Sequence, residues 1–390
     1  MNDALTNWPR LAVPARSITG AGCRQHTASL LAGLGVAEGA TVVVVHSRSA
    51  RWAADLARDL RALGLLPMMW PAGGEPSLPD LEQAIAALRP KSPGAVVAIG
   101  GGSALDLGKA LAALLCSDSP VREHLEIVGE GRPLDHVPLP FVAIPTTAGT
   151  GAEATKNAVI DIPEARRKVS LRDARMIPAV AVLDPELTYG LPRQLSLSTG
   201  MDALTQLIEP FLSHKATAAT DALTAAAILP TMRALIRLSQ GEDAGARATM
   251  LNAAHLSGIA LANAGLGAVH GFAGVIGGQT GRPHGAICAA LLPEVLRVNR
   301  LACARAGQDM GKFDALDGMI SEAFGSRLRP AEQLLAGFNA AQGLAGLGLE
   351  KASDFDVPAV VEMAKSASSM KANPVELSSQ DLTKILENCL

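Results

Sequence analysis

A doubly wound parallel α/β sheet followed by an all-α domain is the fold class that three features of the sequence predict. Short apolar runs alternate with amphipathic stretches through the first half, as buried parallel strands alternate with covering helices. Past Pro185 the pattern changes to Ala-, Leu- and Gly-rich amphipathic runs without a strand signal. The length, 390 residues, exceeds what one hydrophobic core usually serves. Two domains are therefore expected, residues 1–190 and 191–390.

Taken in order, residues 16–22 read as a short strand and turn, and 26–34 as a helix. Thr41-Val-Val-Val-Val45 is apolar on both faces, the pattern of a buried parallel strand. A helix over 50–63 sets Leu56, Leu60 and Leu63 at helical spacing. Residues 67–71 form a second candidate strand and 78–88 a second helix. Residues 94–100 read as a third strand, followed by a glycine turn and a helix over 105–115; 141–144 is a fourth. Later, an apolar run over 263–276 predicts a helix carrying His270. Pro283 predicts a further helix start, with His284 beside it and the run 286–296 continuing it.

Composition narrows the function. The formal net charge of −3 and the 3% of aromatic residues argue against nucleic acid as a partner. Cys23, Cys116, Cys288, Cys303 and Cys389 are odd in number and lack CxxC spacing, so neither a disulfide framework nor a thiolate zinc site is expected. The first residues lack the charged-then-apolar pattern of a leader, and no uninterrupted apolar run reaches spanning length. A cytoplasmic protein without a membrane partner is the expectation.

Histidine is scarce, eight in the chain, yet His270 and His284 share one glycine-rich, nearly uncharged segment. Upstream, Asp202 and Gln206 stand at i and i+4 of a helical run, one above the other on one face. A carboxylate oxygen, an amide oxygen and two imidazoles make a four-donor set for a divalent ion with a position left for substrate. Two hydrogen-bonded histidines without a metal satisfy the same pattern, and spacing alone does not choose between them.

Gly100-Gly101-Gly102-Ser103 lies where a strand passes into a helix. Glycines there admit close backbone approach, and the helix start offers N–H groups and a positive dipole end to a diphosphate. A tight strand-to-helix turn explains the glycines equally well. Thr146, Thr147 and Thr150 follow the fourth strand and offer hydroxyls to a cofactor, although helix capping accounts for one or two of them. Lys168, behind Arg166 and Arg167, is placed to reach a ribose or phosphate, against the default of a solvated basic cluster. Asp106 is expected to bond within its own helix.

Together the GGGS-x-x-D-x-x-K loop from Gly100, the PTTAGTG-x-E-x-T segment from Pro145, LDP-x-L before TGMDALT, and the HG…PHG segment resemble the iron-containing (group III) alcohol dehydrogenase family, maleylacetate-reductase-like members included. The resemblance implies a Rossmann-like dinucleotide-binding domain and a helical domain, a dehydroquinate synthase-like fold, with a metal and substrate cleft between them. It also implies NAD- or NADP-linked interconversion of an alcohol and an aldehyde or ketone by a homodimer or higher homo-oligomer. Carried over residue by residue, Asp202, His270 and His284 match metal ligands for Fe2+ or Zn2+. Gly100, Gly101, Gly102 and Ser103 match the diphosphate loop, Thr146, Thr147 and Thr150 the cofactor-lining threonines, and Lys168 the cofactor-side lysine.

The chain departs from the family twice. Gln206 stands where a fourth ligand is typically histidine, and Gly274 where another histidine usually follows the His270 position. After the early strand, where the family often carries an acidic residue, this chain has His46-Ser47-Arg48-Ser49. Ser47 and Arg48 suit a ribose 2′-phosphate, so NADP is admitted beside NAD. The reading is hydride transfer with a metal, held by Asp202, Gln206, His270 and His284, polarising the substrate oxygen. A metal-independent reductase of an oxo acid, or a non-oxidoreductase relative of the fold, is the alternative.

Overall fold

The structure, a computed structural model, describes residues 11–48, 51–165, 167–325, 343–349 and 356–390. Ser49 and Arg166, named above, lie outside the described residues. The strands are β1 (Arg16–Thr19), β2 (Thr41–Ser47), β3 (Leu66–Ala72), β4 (Ala95–Gly100), β5 (Phe141–Pro145), β6 (Asn157–Ile162), β7 (Arg167–Arg172) and β8 (Val180–Leu183). The helices of the first half are α1 (Thr27–Gly33), α2 (Ala53–Ala62), α3 (Leu78–Leu88), α4 (Gly102–Leu114) and the single turn α5 (Val121–His124). Then come α6 (Arg193–Leu212), α7 (Ala218–Gln240), α8 (Ala244–Ala264), α9 (Ala268–Thr280), α10 (His284–Arg305), α11 (Gly311–Phe324), α12 (Val357–Ser366) and α13 (Ser379–Cys389).

Six strands pair in parallel in the order β1-β8-β5-β4-β2-β3. Successive residues of a strand point to opposite faces, and both faces of this sheet are covered. Val43, Val45, Val96 and Ala98 pack on α3 and α4, while Val42, Val44, Val97 and Ile99 pack with α1 and α2. That explains why β4, β5 and β8 are buried at every position and read as continuous apolar runs. The chain goes from β2 outward to β3, then returns to place β4 on the other side of β2. The topological switch point therefore lies between β2 and β4, and their carboxyl ends, Ser47 and Gly100, flank the crevice where such sheets bind ligands.

Three strands were not legible beforehand. β6 and β7 form a separate antiparallel pair that packs on α4. Asp106 Oδ2 accepts from Val159 N of β6 at 3.1 Å, while within its own helix Oδ1 stands 3.9 Å from Lys109 Nζ. Lys109, fully buried, donates to Thr155 Oγ1 at 2.7 Å and to the Asn157 carbonyl at 2.8 Å. β8 is four residues long and pairs with both β1 and β5.

Helix boundaries also moved. The run 263–276 is not one helix; α8 ends at Gly265, whose φ is 70°, and α9 leaves at 104° to it after Gly267. α10 begins at His284 itself, with Pro283 as its N-cap. Among the described residues no strand follows Leu183. The helices share one large core that also takes in Ala181 and Leu183 of the sheet, so the helical part is seated on the sheet at β8. Taken alone, α7 has the length and apolarity of a membrane span, but Ile228, Met232 and Leu235 are buried in that core.

Candidate metal and dinucleotide sites

Three helices deliver the donors of one cluster. Asp202 lies mid-way along α6, His270 in the first turn of α9, and His284 at the start of α10. Asp202 and His270 are buried, and His284 is partly exposed. Gly285 makes the meeting possible. A Cβ on it would lie 2.0 Å from the Ser198 carbonyl oxygen, so only glycine lets the head of α10 rest on α6. Asp202 Oδ1 then stands 3.2 Å from His270 Nε2 and 3.7 Å from His284 Nε2, with the ring centroids of the two histidines 5.4 Å apart.

Two members of the cluster escaped the sequence reading. Cys288, one turn beyond His284 on α10, is fully buried with Sγ 3.9 Å from Asp202 Oδ1 and 4.0 Å from His270 Nε2. The donor atoms of Asp202, His270, His284 and Cys288 all lie within 4.8 Å of one another. Glu209, two turns beyond Asp202, accepts from His270 Nδ1 at 2.6 Å and from Val269 N at 2.7 Å. With Nδ1 committed to that carboxylate, His270 turns Nε2 toward Asp202 and Cys288, the arrangement that orients a ligating histidine. Helical spacing was the available signal: 202 and 209 are i and i+7, and 284 and 288 are i and i+4.

The electrostatics ask for positive charge. Burial works against the charged form of every member, yet mutual attraction exceeds it. Despite burial, Cys288 and Asp202 raise His284 to about 9, and Cys288 and Glu209 hold His270 well above the usual histidine range. Despite burial, the two imidazoles hold the Asp202 carboxyl and the Cys288 thiol below their ordinary values. A site that gathers protons in this way exchanges them for a divalent cation when one binds. The donor set of carboxylate, two imidazoles and thiol fits such an ion.

Gln206 sits one turn from Asp202 on the same face of α6, as its spacing requires. Its Nε2 donates to the Thr150 carbonyl at 2.8 Å and to Ser257 Oγ at 2.9 Å. A carbonyl only accepts, so the first bond fixes the amide orientation. Ser257 spends its own proton on the Ala254 carbonyl. Both amide hydrogens are committed, which leaves Oε1 as the atom Gln206 has to offer a cation. Gly274, on the next turn of α9 from His270, has open space around it.

The glycine turn gathers at the switch point. A Cβ on Gly100 would meet Ser47 Cβ at 3.1 Å, and one on Gly102 would meet Thr150 Oγ1 at 2.8 Å. A Cβ on Gly101 would meet Thr147 Oγ1 at 3.4 Å, and Thr146 N donates to the Gly100 carbonyl at 2.9 Å. Gly101 is the N-cap of α4 with no side-chain cap, and Ser103 lies in the first turn. The structure thus brings together Ser47, Gly100, Gly101, Gly102, Ser103, Thr146, Thr147 and Thr150. Arg48 is exposed in the turn after β2. Lys168 stands on β7 and is ion-paired with Glu75.

Thr150 links the two sites. Its side chain backs Gly102 while its carbonyl receives the amide of Gln206. The next residue, Gly151, has φ 59° and a Cβ there would lie 2.3 Å from the Ala254 carbonyl, so the loop is laid directly on α8. One loop therefore walls both the glycine turn and the foot of the metal-type cluster.

A glycine turn at a sheet switch point is joined by one loop to a buried cluster of metal-type donors on helices. Residues 14–185 match the family described as iron-containing alcohol dehydrogenase, and residues 196–390 match the C-terminal region of the Fe-containing alcohol dehydrogenase family. The chain belongs to the iron-containing alcohol dehydrogenase family, a family of oxidoreductases. It is 38% identical to the probable alcohol dehydrogenase EutG of Escherichia coli (strain K12), over 66% of this chain and 65% of that relative. It is 35% identical to long-chain-alcohol dehydrogenase 1 of Geobacillus thermodenitrificans, over 80% of this chain and 79% of that one. The crystal structure of a 1,3-propanediol oxidoreductase superposes with a TM-score of 0.86 at 26% identity, covering 98% of this chain and all of the other.

Proposed function

We propose that the protein is an NAD(P)-dependent alcohol dehydrogenase that interconverts an alcohol and an aldehyde or ketone. In this reading residues 1–190 bind the dinucleotide, and residues 191–390 hold a divalent ion, Fe2+ or Zn2+, beside the substrate. The observation that carries it is the single loop that backs Gly102 with Thr150 and, through Gln206, abuts the helix bearing Asp202. Family relatives named as alcohol dehydrogenases support the same chemistry.

Gly100, Gly101 and Gly102 leave room for a diphosphate against the uncapped start of α4, whose N–H groups and dipole favour the anion. Thr146, Thr147 and Thr150 line the approach, and Lys168 contributes its charge from β7. Ser47 and Arg48 close the crevice at the end of β2 and suit a 2′-phosphate, so NADP is accepted as well as NAD.

When bound, the ion polarises the substrate oxygen and the nicotinamide carries the hydride. The chain's own part is placement. Asp202, His270 and His284 hold the cation, and Glu209 fixes His270 through Nδ1. Gln206 Oε1 and Cys288 Sγ are the two atoms that compete for a fourth bond. With glycine at 274 that turn of α9 carries no imidazole to take a proton, so the alcohol proton would leave through water or the cofactor's ribose hydroxyls. The donor cluster favours this reading over a metal-independent reductase. Assembly as a homo-oligomer in the cytoplasm belongs to the same proposal.

Gly102→Val tests the cofactor half. The new side chain collides with Thr150 and should weaken NADH and NADPH binding by at least roughly tenfold, about 1.4 kcal/mol. Unchanged binding in a folded variant overturns the placement of the diphosphate.

A further inference from the structure

The fourth donor is open to an assignment that departs from the histidine expected by resemblance. Tetrahedral zinc bonds run about 2.0–2.3 Å, so the edges between donor atoms run about 3.3–3.7 Å. The recorded edges are 3.2 Å from His270 Nε2 to Asp202 Oδ1, and 3.7 Å from His284 Nε2 to Asp202 Oδ1. The sulfur edges are 3.9 Å to Asp202 Oδ1 and 4.0 Å to His270 Nε2, the longer ones, as a longer metal–sulfur bond requires. These four of the six edges lie within a few tenths of an ångström of tetrahedral values, and all six lie within 4.8 Å.

Gln206 is differently employed. Its Nε2 is clamped to Thr150 and Ser257, where it fixes the loop that walls the glycine turn, and only its Oε1 is left to compete with the sulfur. Cys288 has no such structural employment. It is fully buried with its sulfur at the cluster and its helix pinned in place by Gly285. We propose that Cys288 Sγ is the fourth protein ligand, giving an Asp202-His270-His284-Cys288 metal centre that would admit the substrate oxygen as a fifth ligand, with Gln206 as a positioning residue outside it.

The assignment rests on the metal-dependent reading above and deepens it. Two anionic ligands balance a divalent charge, where Asp202 with three neutral donors leaves a net positive centre. A thiolate is also a soft donor, favouring zinc over the hard oxygen-seeking ions. The protein should therefore take zinc in preference to magnesium or manganese.

X-ray absorption on the full-length zinc-reconstituted protein reads the ligand atoms directly. The expected result is one sulfur scatterer at about 2.3 Å beside nitrogen and oxygen. The cobalt(II) form should carry a thiolate-to-cobalt charge-transfer band. Cys288→Ser and Cys288→Ala should abolish both signatures and lower zinc affinity at least tenfold. Gln206→Leu should keep the sulfur signal.

A wild-type centre with only nitrogen and oxygen neighbours overturns the assignment. So does a band that survives Cys288→Ser, or zinc binding lost in Gln206→Leu but kept in Cys288→Ala. The two readings fail separately. An oxygen and nitrogen centre with alcohol-dependent NAD(P) reduction intact refutes only the Cys288 ligand, whereas a chain that binds no divalent ion at all refutes both. Circular dichroism of each variant separates ligand loss from misfolding.

Discussion

Glu209 shows what a single residue contributes and how it was missed. The sequence grouped Asp202, His270 and His284 because their types and helix contexts fit a divalent ion, and the fold brings the three side chains together. It did not show that a second carboxylate, two turns along α6, would reach the far nitrogen of His270 at 2.6 Å. That contact depends on the angle at which α9 meets α6, which no local pattern encodes. Cys288 was missed for a different reason: it was judged by cysteine spacing, when the relevant spacing was to a histidine. Glu209→Gln keeps the shape but removes the charge that orients and strengthens the imidazole. Metal affinity should fall by about 10- to 100-fold, the usual cost of losing such a partner. Competition against a chromophoric chelator measures it, and an unchanged affinity would show that packing alone holds His270.

At the scale of elements, the doubly buried strands β2, β4 and β5 and the amphipathic helices announced themselves, the α4 helix expected over 105–115 runs Gly102–Leu114, and β8, equally buried, is only four residues long. The failures have physical causes. β6 carries Asn157 and Asp161 among apolar residues and β7 carries Arg167, Lys168 and Arg172, and the pair is stabilised by contacts from α4, Asp106 to Val159 and Lys109 to Asn157, across a long separation in sequence. The α8–α9 corner was hidden because apolar composition continues through it, and only the positive φ of Gly265 marks the break. The element contact with the largest consequence is the seating of α10 on α6. Gly285→Ala puts a methyl group 2.0 Å from the Ser198 carbonyl, so the head of α10 must lift. Overpacking of this kind costs roughly 1–3 kcal/mol, and here it also draws His284 away from Asp202. Chemical denaturation together with metal titration should show both losses. Loss of stability with undiminished metal affinity would mean that His284 is placed by something other than this contact.

For the whole molecule, the order of strands and the seating of the helical core on β8 bring two sites into one arrangement. Their separate ingredients were visible in the sequence; the Thr150 loop that joins them was not. That junction underlies the central claim, that hydride passes between an alcohol carbon and a nicotinamide held on the glycine turn, with a cation at Asp202, His270 and His284. Isotope transfer tests it most directly. The full-length protein, loaded with zinc or iron, is incubated with a primary alcohol deuterated at its carbinol carbon and with NAD+ or NADP+. The reduced nucleotide is then examined by mass spectrometry. The account predicts one deuterium in the reduced nicotinamide, formed with the metal-loaded protein and lost after chelation or in Asp202→Ala. Reduced nucleotide without deuterium, or equal transfer by chelated and metal-loaded protein, would contradict it.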